Sequence, residues 1–116
     1  MGLSMHVLDT AQGRPGAGMA FELAWLGEGG RTVLRQGVTN HDGRSDAWLL
    51  AQDDLRVGPY ELLFQAGAYF RAAGFDLPDP PFIDTVCLRF SVADAAAHYH
   101  VPLLCSPYGY TTYRGS

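Results

Sequence analysis

Short runs of alternating apolar and polar residues follow one another along this chain, separated by clusters of glycine, proline, asparagine and aspartate. Alternation with a period of two marks a half-buried strand, and breaks at intervals of about ten to fifteen residues suit an all-β sandwich better than a helical domain. Leu3 to Leu8 reads as the first strand, and Gln12-Gly13-Arg14-Pro15-Gly16 as a turn, with Pro15 setting φ and glycine supplying positive φ. Met19 to Leu26 is the second strand. Gly27-Glu28-Gly29-Gly30 is a tight hairpin loop from which Thr32 to Val38 returns. Asn40-His41-Asp42-Gly43-Arg44 carries an Asp-Gly turn, and Ala47 to Leu50 fits a short edge strand. Beyond Gly58-Pro59, Tyr60 to Gln65 is again a strand. Gly67 to Gly74, alanine-rich and closed by a glycine, is the one helix the pattern predicts. Pro78-Asp79-Pro80-Pro81 is rigid loop. Thr85 to Val92 is a β-branched and aromatic strand, and Ala97 to Leu104 and Tyr108 to Arg114 are two more, joined through Ser106-Pro107. The sum is an all-β chain: seven to eight strands and one short helix, as two antiparallel sheets face to face in one domain over residues 1–116. The Cys…Trp…Cys spacing of an immunoglobulin domain is missing.

Composition narrows the function classes. With 47% hydrophobic residues in 116, the chain can bury a core and is not disordered. Its formal charge is −4 and it has no basic stripe, so nucleic acid is not an expected partner. No apolar run approaches the ~20 residues of a membrane helix, and Met1 to His6 carries neither the charged nor the apolar region of a secretory signal, so a soluble cytoplasmic protein is expected. Cys87 and Cys105 lie outside any CxxC motif and read as buried small hydrophobes in a reducing compartment.

Four histidines, His6, His41, His98 and His100, are the natural carriers of proton chemistry near neutral pH. His98 and His100 are two apart, which in a strand puts both on one face, roughly 7 Å apart at Cα. That spacing invites zinc, with His6 as a third ligand, but no carboxylate or thiolate clearly completes a tetrahedral site. Arg44 follows the Asp-Gly turn, where its planar fork suits an anionic or carbonyl-rich ligand. Gly13 to Gly18 is glycine-rich but lacks the GK[ST] ending of a phosphate loop, and no GxSxG or HExxH occurs. Tyr113-Arg114-Gly115-Ser116 ends the final strand with an aromatic, a cation, a glycine and a hydroxyl. From the residues alone, the chain is a β-sandwich with a candidate His/Arg site.

Three segments, in order across nearly the whole chain, carry a family likeness. They are Leu3-Ser4-Met5-His6-Val7-Leu8-Asp9 with Gly13-Arg14-Pro15; Thr39-Asn40-His41-Asp42-Gly43-Arg44; and His98-Tyr99-His100-Val101-Pro102-Leu103-Leu104 with Tyr113-Arg114-Gly115-Ser116. The chain thereby resembles the 5-hydroxyisourate hydrolases, the transthyretin-related enzymes of urate catabolism. The resemblance implies a prealbumin-like sandwich assembled as a homotetramer, a dimer of dimers, with active sites in the cleft between dimers. It implies His6, Arg44 and His100 as catalytic residues, with Ser116, Tyr113 and His98 on the substrate side, and neither metal nor cofactor. The implied reaction is water attack on a ring carbonyl of 5-hydroxyisourate, giving 2-oxo-4-hydroxy-4-carboxy-5-ureidoimidazoline, and which histidine is base and which acid stays open. The alternative on the same fold is a ligand carrier of transthyretin type. A hormone channel wants apolar and small polar groups, whereas this chain offers histidines, an arginine and the YRGS end.

Overall fold

Residues two apart in a strand share a face, and burial follows that rule closely in the first strand: Leu3, Met5 and Val7 are buried, whereas Ser4, His6 and Leu8 are only partly covered. The computed structural model describes residues 1–116. Its elements in chain order are β1 (Gly2–Asp9), β2 (Arg14–Pro15), β3 (Ala20–Trp25), β4 (Thr32–Val38), β5 (Leu50–Ala51), β6 (Gly58–Gln65), α1 (Ala66–Ala72), β7 (Thr85–Val92), β8 (Tyr99–Ser106) and β9 (Gly109–Thr112). One sheet runs β2-β1-β8-β9, with β5 on the start of β1; the other runs β4-β3-β6-β7. A cluster of 22 buried residues fills the space between them, including Leu3, Met5, Val7, Leu23, Leu62, Phe64, Val86 and Leu103.

The expected two-sheet sandwich is present, with seven strands of four or more residues and two of only two. One pairing within it, β1 with β8, is parallel, from Leu3↔Tyr99 to Asp9↔Cys105. It joins the two ends of the chain, so no hairpin signal could announce it. The helix falls at Ala66–Ala72. Gly74 at φ 96° ends it, and Gly74 and Phe75 donate their N–H groups back to the carbonyls of Arg71 and Phe70. The Phe70 and Phe75 rings meet edge to face with centroids 5.3 Å apart, closing the cap with an apolar contact.

Three expectations need correction. The edge strand read at Ala47 to Leu50 is only Leu50–Ala51, because Ala47 and Trp48 lie in the loop before it. The last strand stops at Thr112, so Tyr113 to Ser116 is not its continuation; the chain returns to the sheet through an isolated bridge between Gly115 and His100. Cys87 is exposed, on the outward face of β7, and only Cys105 is the buried small residue expected of both; both thiols are free.

On the outward face of the second sheet two carboxylates, Glu22 and Glu61, share the Arg31 guanidinium, and Glu61 gathers the most donors. Glu61, in the central strand β6 and 6% exposed, accepts from Arg31 Nε at 2.9 Å, Cys87 Sγ at 3.1 Å and Arg89 Nε at 3.2 Å. The Arg31 hydrogen bond, then that of the Cys87 thiol, then Arg89, outweigh burial and hold its carboxyl at about 2 instead of 4.5. A carboxyl depressed in the folded state stabilises the fold above its unfolded value, and that contribution disappears as pH falls toward about 2. Glu61→Gln should therefore lower stability at pH 7 by about 1–2 kcal/mol. Urea denaturation should show the gap to the parent chain shrinking steadily from pH 5 toward pH 2; a gap independent of pH would contradict the assignment.

Candidate active site

The parallel register of β1 and β8 sets out the site. Ser4 lies opposite His100 and His6 opposite Pro102, on the outward face of the first sheet. The Ser4 hydroxyl and His100 Nδ1 are 2.7 Å apart. No other hydrogen bond reaches the His100 ring, and no fully buried side-chain nitrogen or oxygen lacks a partner, so Nε2 is unpartnered and not sealed from solvent.

Arg44 arrives on the Asn40 turn. The Asn40 side-chain oxygen accepts from the N–H groups of Asp42 and Arg44, and the Gly43 N–H closes the turn on the Asn40 carbonyl. The turn docks on β1 where the Val7 N–H donates to the Gly43 carbonyl at 2.8 Å, one residue from His6. Gly43 has φ 76°, and a Cβ there would collide with the Val7 carbonyl, so glycine is required twice over. Thr39 anchors the turn's base: its buried hydroxyl donates to the Gly16 carbonyl at 2.6 Å and accepts from the Met19 N–H.

The third contribution is the segment after β9. The Arg114 guanidinium lies 3.9 Å from the centre of the Tyr99 ring and donates to the His98 carbonyl at 3.0 Å, and the Gly115 N–H donates to the His100 carbonyl at 2.8 Å. These contacts straddle β8 and bring Ser116 to the same hollow as His98 and His100. That hollow, of ≈600 Å³ and open to solvent, is also lined by Ser4, Arg44, Asp46 and Trp48. His98 precedes β8 and is held by its Nδ1 at 2.7 Å from the Gly2 carbonyl and by the edge-on Trp48 ring at 5.4 Å.

Burial first, then the positive charge of Arg44, pushes His6 below the ordinary 6.5, against a weaker opposing pull from Asp42. Burial, then Arg44, then the other histidines His6 and His98, push His100 down as well. Both imidazoles are therefore neutral and basic at pH 7 beside a fixed cation, a pairing suited to taking a proton while the cation faces developing negative charge.

The structure thus gathers Arg44, His98, His100 and Ser116 around one hollow, with His6 close enough to interact electrostatically with both Arg44 and His100. Tyr113 does not line that hollow: it is 58% exposed and borders an adjoining cleft with Leu88, Phe90 and Thr112, which His100 also lines from its other side. His41 is exposed 3.4 Å from Asp42, borders a separate hollow along α1 with Arg14 and Tyr69, and takes no part. No three histidine, cysteine or acidic side chains gather as metal ligands, so the zinc arrangement that the histidine spacing allowed is not formed within one chain. Ser4, Asp46 and Trp48 were not singled out from sequence. Ser4 had a signal, since it sits two residues before His6 in a strand; the loop residues Asp46 and Trp48 had none.

A two-sheet sandwich with a histidine–arginine hollow on the outward face of one sheet defines the class of protein, and comparison with known proteins gives the family. Residues 3–115 match the HIUase/Transthyretin family, and the chain belongs to it. The 5-hydroxyisourate hydrolase of Ralstonia nicotianae is 56% identical over 114 residues, spanning 98% of this chain and 97% of that protein. Among solved structures, (S)-allantoin synthase superposes with a TM-score of 0.93 at 41% identity over 98% of this chain, which spans 43% of that longer protein. Sea bream transthyretin in complex with thyroxine superposes with a TM-score of 0.87 at 27% identity, over 99% of this chain and 95% of that one.

The electrostatic arrangement can be checked without substrate. NMR titration should place the midpoints of His6 and His100 below 6.5, and Arg44→Gln should move both upward; a midpoint above 6.5 for His100 in the parent protein would contradict the geometry.

Proposed function

We infer that this chain hydrolyses 5-hydroxyisourate, with His6, Arg44 and His100 as the reacting groups. The observation that carries the reading is the meeting of His100 and Arg44 at one hollow, with His6 on the same outward face of the sheet, in a chain 56% identical over almost its full length to a 5-hydroxyisourate hydrolase. The residue types match what ring opening needs. An imidazole Nε2 takes a proton from water as the water oxygen bonds to the ring carbonyl carbon. The oxyanion that forms is stabilised by Arg44, which stays charged throughout. The C–N bond then breaks, and the imidazolium returns the proton to the leaving nitrogen. His6 and His100 share these two transfers, while Ser116 and His98, on the rim of the hollow, contact the substrate. Tyr113 acts from the adjoining cleft that it shares with His100.

The active form is an oligomer, and a dimer of dimers fits the surface best. A single chain leaves the hollow open, whereas a small-molecule site buries most of its ligand, so a second copy facing the first sheet supplies the missing wall. Strands β7 and β9 end their sheets with unpaired edges, which suit strand-to-strand pairing between copies. No helix is long and apolar enough to cross a membrane, and a cytoplasmic setting fits the free thiols.

A thyroxine carrier such as the sea bream protein shares the fold at 27% identity, but charged and titratable groups around the hollow serve proton transfer better than storage of an apolar hormone. The two readings separate in one assay: 5-hydroxyisourate is generated from urate with uricase, and its ultraviolet decay is followed with and without the protein. Accelerated decay is expected, with His100→Asn or His6→Asn lowering kcat by about 10²–10⁴-fold; decay at the spontaneous rate would favour the carrier. Extending the chain past Ser116 with a long C-terminal tag should lower activity while leaving Tm nearly unchanged. Undiminished turnover in the tagged protein would remove the end segment from the site.

A further inference from the structure

We propose that Ser4 and Gly115 are positioning residues for His100: the Ser4 hydroxyl holds the ring at Nδ1, the Gly115 main chain supports its opposite edge, and Nε2 is left as the one ring nitrogen free to handle protons. The proposal deepens the hydrolytic reading and rests on it for its kinetic consequences.

Three observations carry it. The hydrogen bond between Ser4 Oγ and His100 Nδ1 is short, at 2.7 Å, joins residues directly opposite in the parallel ladder, and is the only one either side chain makes. Gly115 closes the other side. A Cβ on it would come 2.6 Å from His100 Cδ2, much nearer than real Cβ atoms approach another atom, with Cγ at 3.4 Å. Gly115 does not have the positive φ that usually demands glycine, so its requirement comes from the imidazole alone. Finally, the segment cannot drift from the ring. Arg114 stacks on Tyr99 and donates to the His98 carbonyl, and the Gly115 N–H is tied to the His100 carbonyl. Tyr99 is in turn fixed through its hydroxyl, which accepts from the N–H groups of Ala93 and Asp94.

The choice of a hydroxyl at this position has a chemical consequence. For Nε2 to accept a proton, Nδ1 must carry one and donate it to Ser4 Oγ, and the same contact persists once the ring becomes imidazolium. A carboxylate would hold Nδ1 equally well but would favour the imidazolium and raise the histidine's pKa. A neutral hydroxyl fixes the tautomer and leaves the low basicity set by burial, by Arg44, and by His6 from β1 and His98 ahead of β8. Asp46 and Ser116 border the same hollow.

The test uses the whole protein and two readouts. Nitrogen-15 NMR of the substrate-free protein reports the His100 tautomer, and the ultraviolet assay reports kcat and KM. The parent protein should show Nδ1 protonated. Ser4→Ala should shift the proton toward Nε2 and lower kcat by about 10–100-fold, taking as a guide the loss caused by removing the partner that orients a metal-bound histidine, with KM changed far less. Ser4→Thr, which keeps the hydroxyl on a strand-compatible side chain, should restore the parent tautomer and most of kcat. Gly115→Ala should displace the His100 ring resonances and lower kcat while Tm holds. A His100 tautomer unmoved by Ser4→Ala, or unchanged kcat in that variant, would overturn the role of Ser4. Unchanged ring resonances in Gly115→Ala would overturn that of Gly115. A parent protein with the Ser4-dependent tautomer but no hydrolysis would overturn the hydrolytic reading and leave the Ser4–His100 contact standing.

Discussion

The parallel pairing of β1 with β8 is the constraint on which the rest of the site depends. It is the only parallel ladder in the fold, and it joins strands from opposite ends of the chain. Strand side chains alternate, so a slip of one residue in this register would send Ser4 and His6 into the core and turn Leu3, Met5 and Val7 outward. The inward set is buried against the second sheet, so the hydrophobic core fixes the register, and the register fixes which polar groups meet outside. Packing and chemistry are thus two faces of one ladder.

Around that ladder, two irregular segments are held by main-chain bonds and by glycines. The Asn40 turn lies on the Val7 edge because Gly43 leaves room for the Val7 carbonyl, which brings Arg44 toward His6. The end segment lies on His98 and His100 because Gly115 leaves room for the imidazole and Arg114 has an aromatic face to rest on. The cation and the bases therefore come from different parts of the chain but are referenced to the same strands. A charge placed this way lowers histidine basicity without forming an ion pair, so both imidazoles are held toward their neutral form.

Much of the fold was legible because strand periodicity and turn chemistry are local. The core-facing residues of β1, the helix closed by Gly74 and the Asp-Gly turn each follow from neighbours in sequence. The β1–β8 ladder was not, because strands from opposite ends carry no mutual signal. The same limit explains the last strand: nothing in Tyr113 to Ser116 says that the chain leaves β9 at Thr112 and rejoins at Gly115. Of the candidate site residues, Arg44, His98, His100 and Ser116 meet at one hollow, whereas Tyr113, just past the end of β9, borders an adjoining cleft that shares His100 with it. The outward exposure of Cys87 follows from strand parity against Glu61 across β6, which composition could not reveal.

Hydrolysis by these groups requires a planar ring substrate over the outward face of β1 and β8, within reach of Arg44, His6 and the free Nε2 of His100. A crystal structure of the assembled protein with a stable, planar purine-dione analogue addresses it most directly. The analogue is expected in that hollow, its carbonyl oxygens on the Arg44 guanidinium and its ring within hydrogen-bond distance of His100 Nε2, enclosed by a second copy of the chain. An analogue bound instead in the α1 hollow beside His41, with the His6 and His100 face empty, would contradict it.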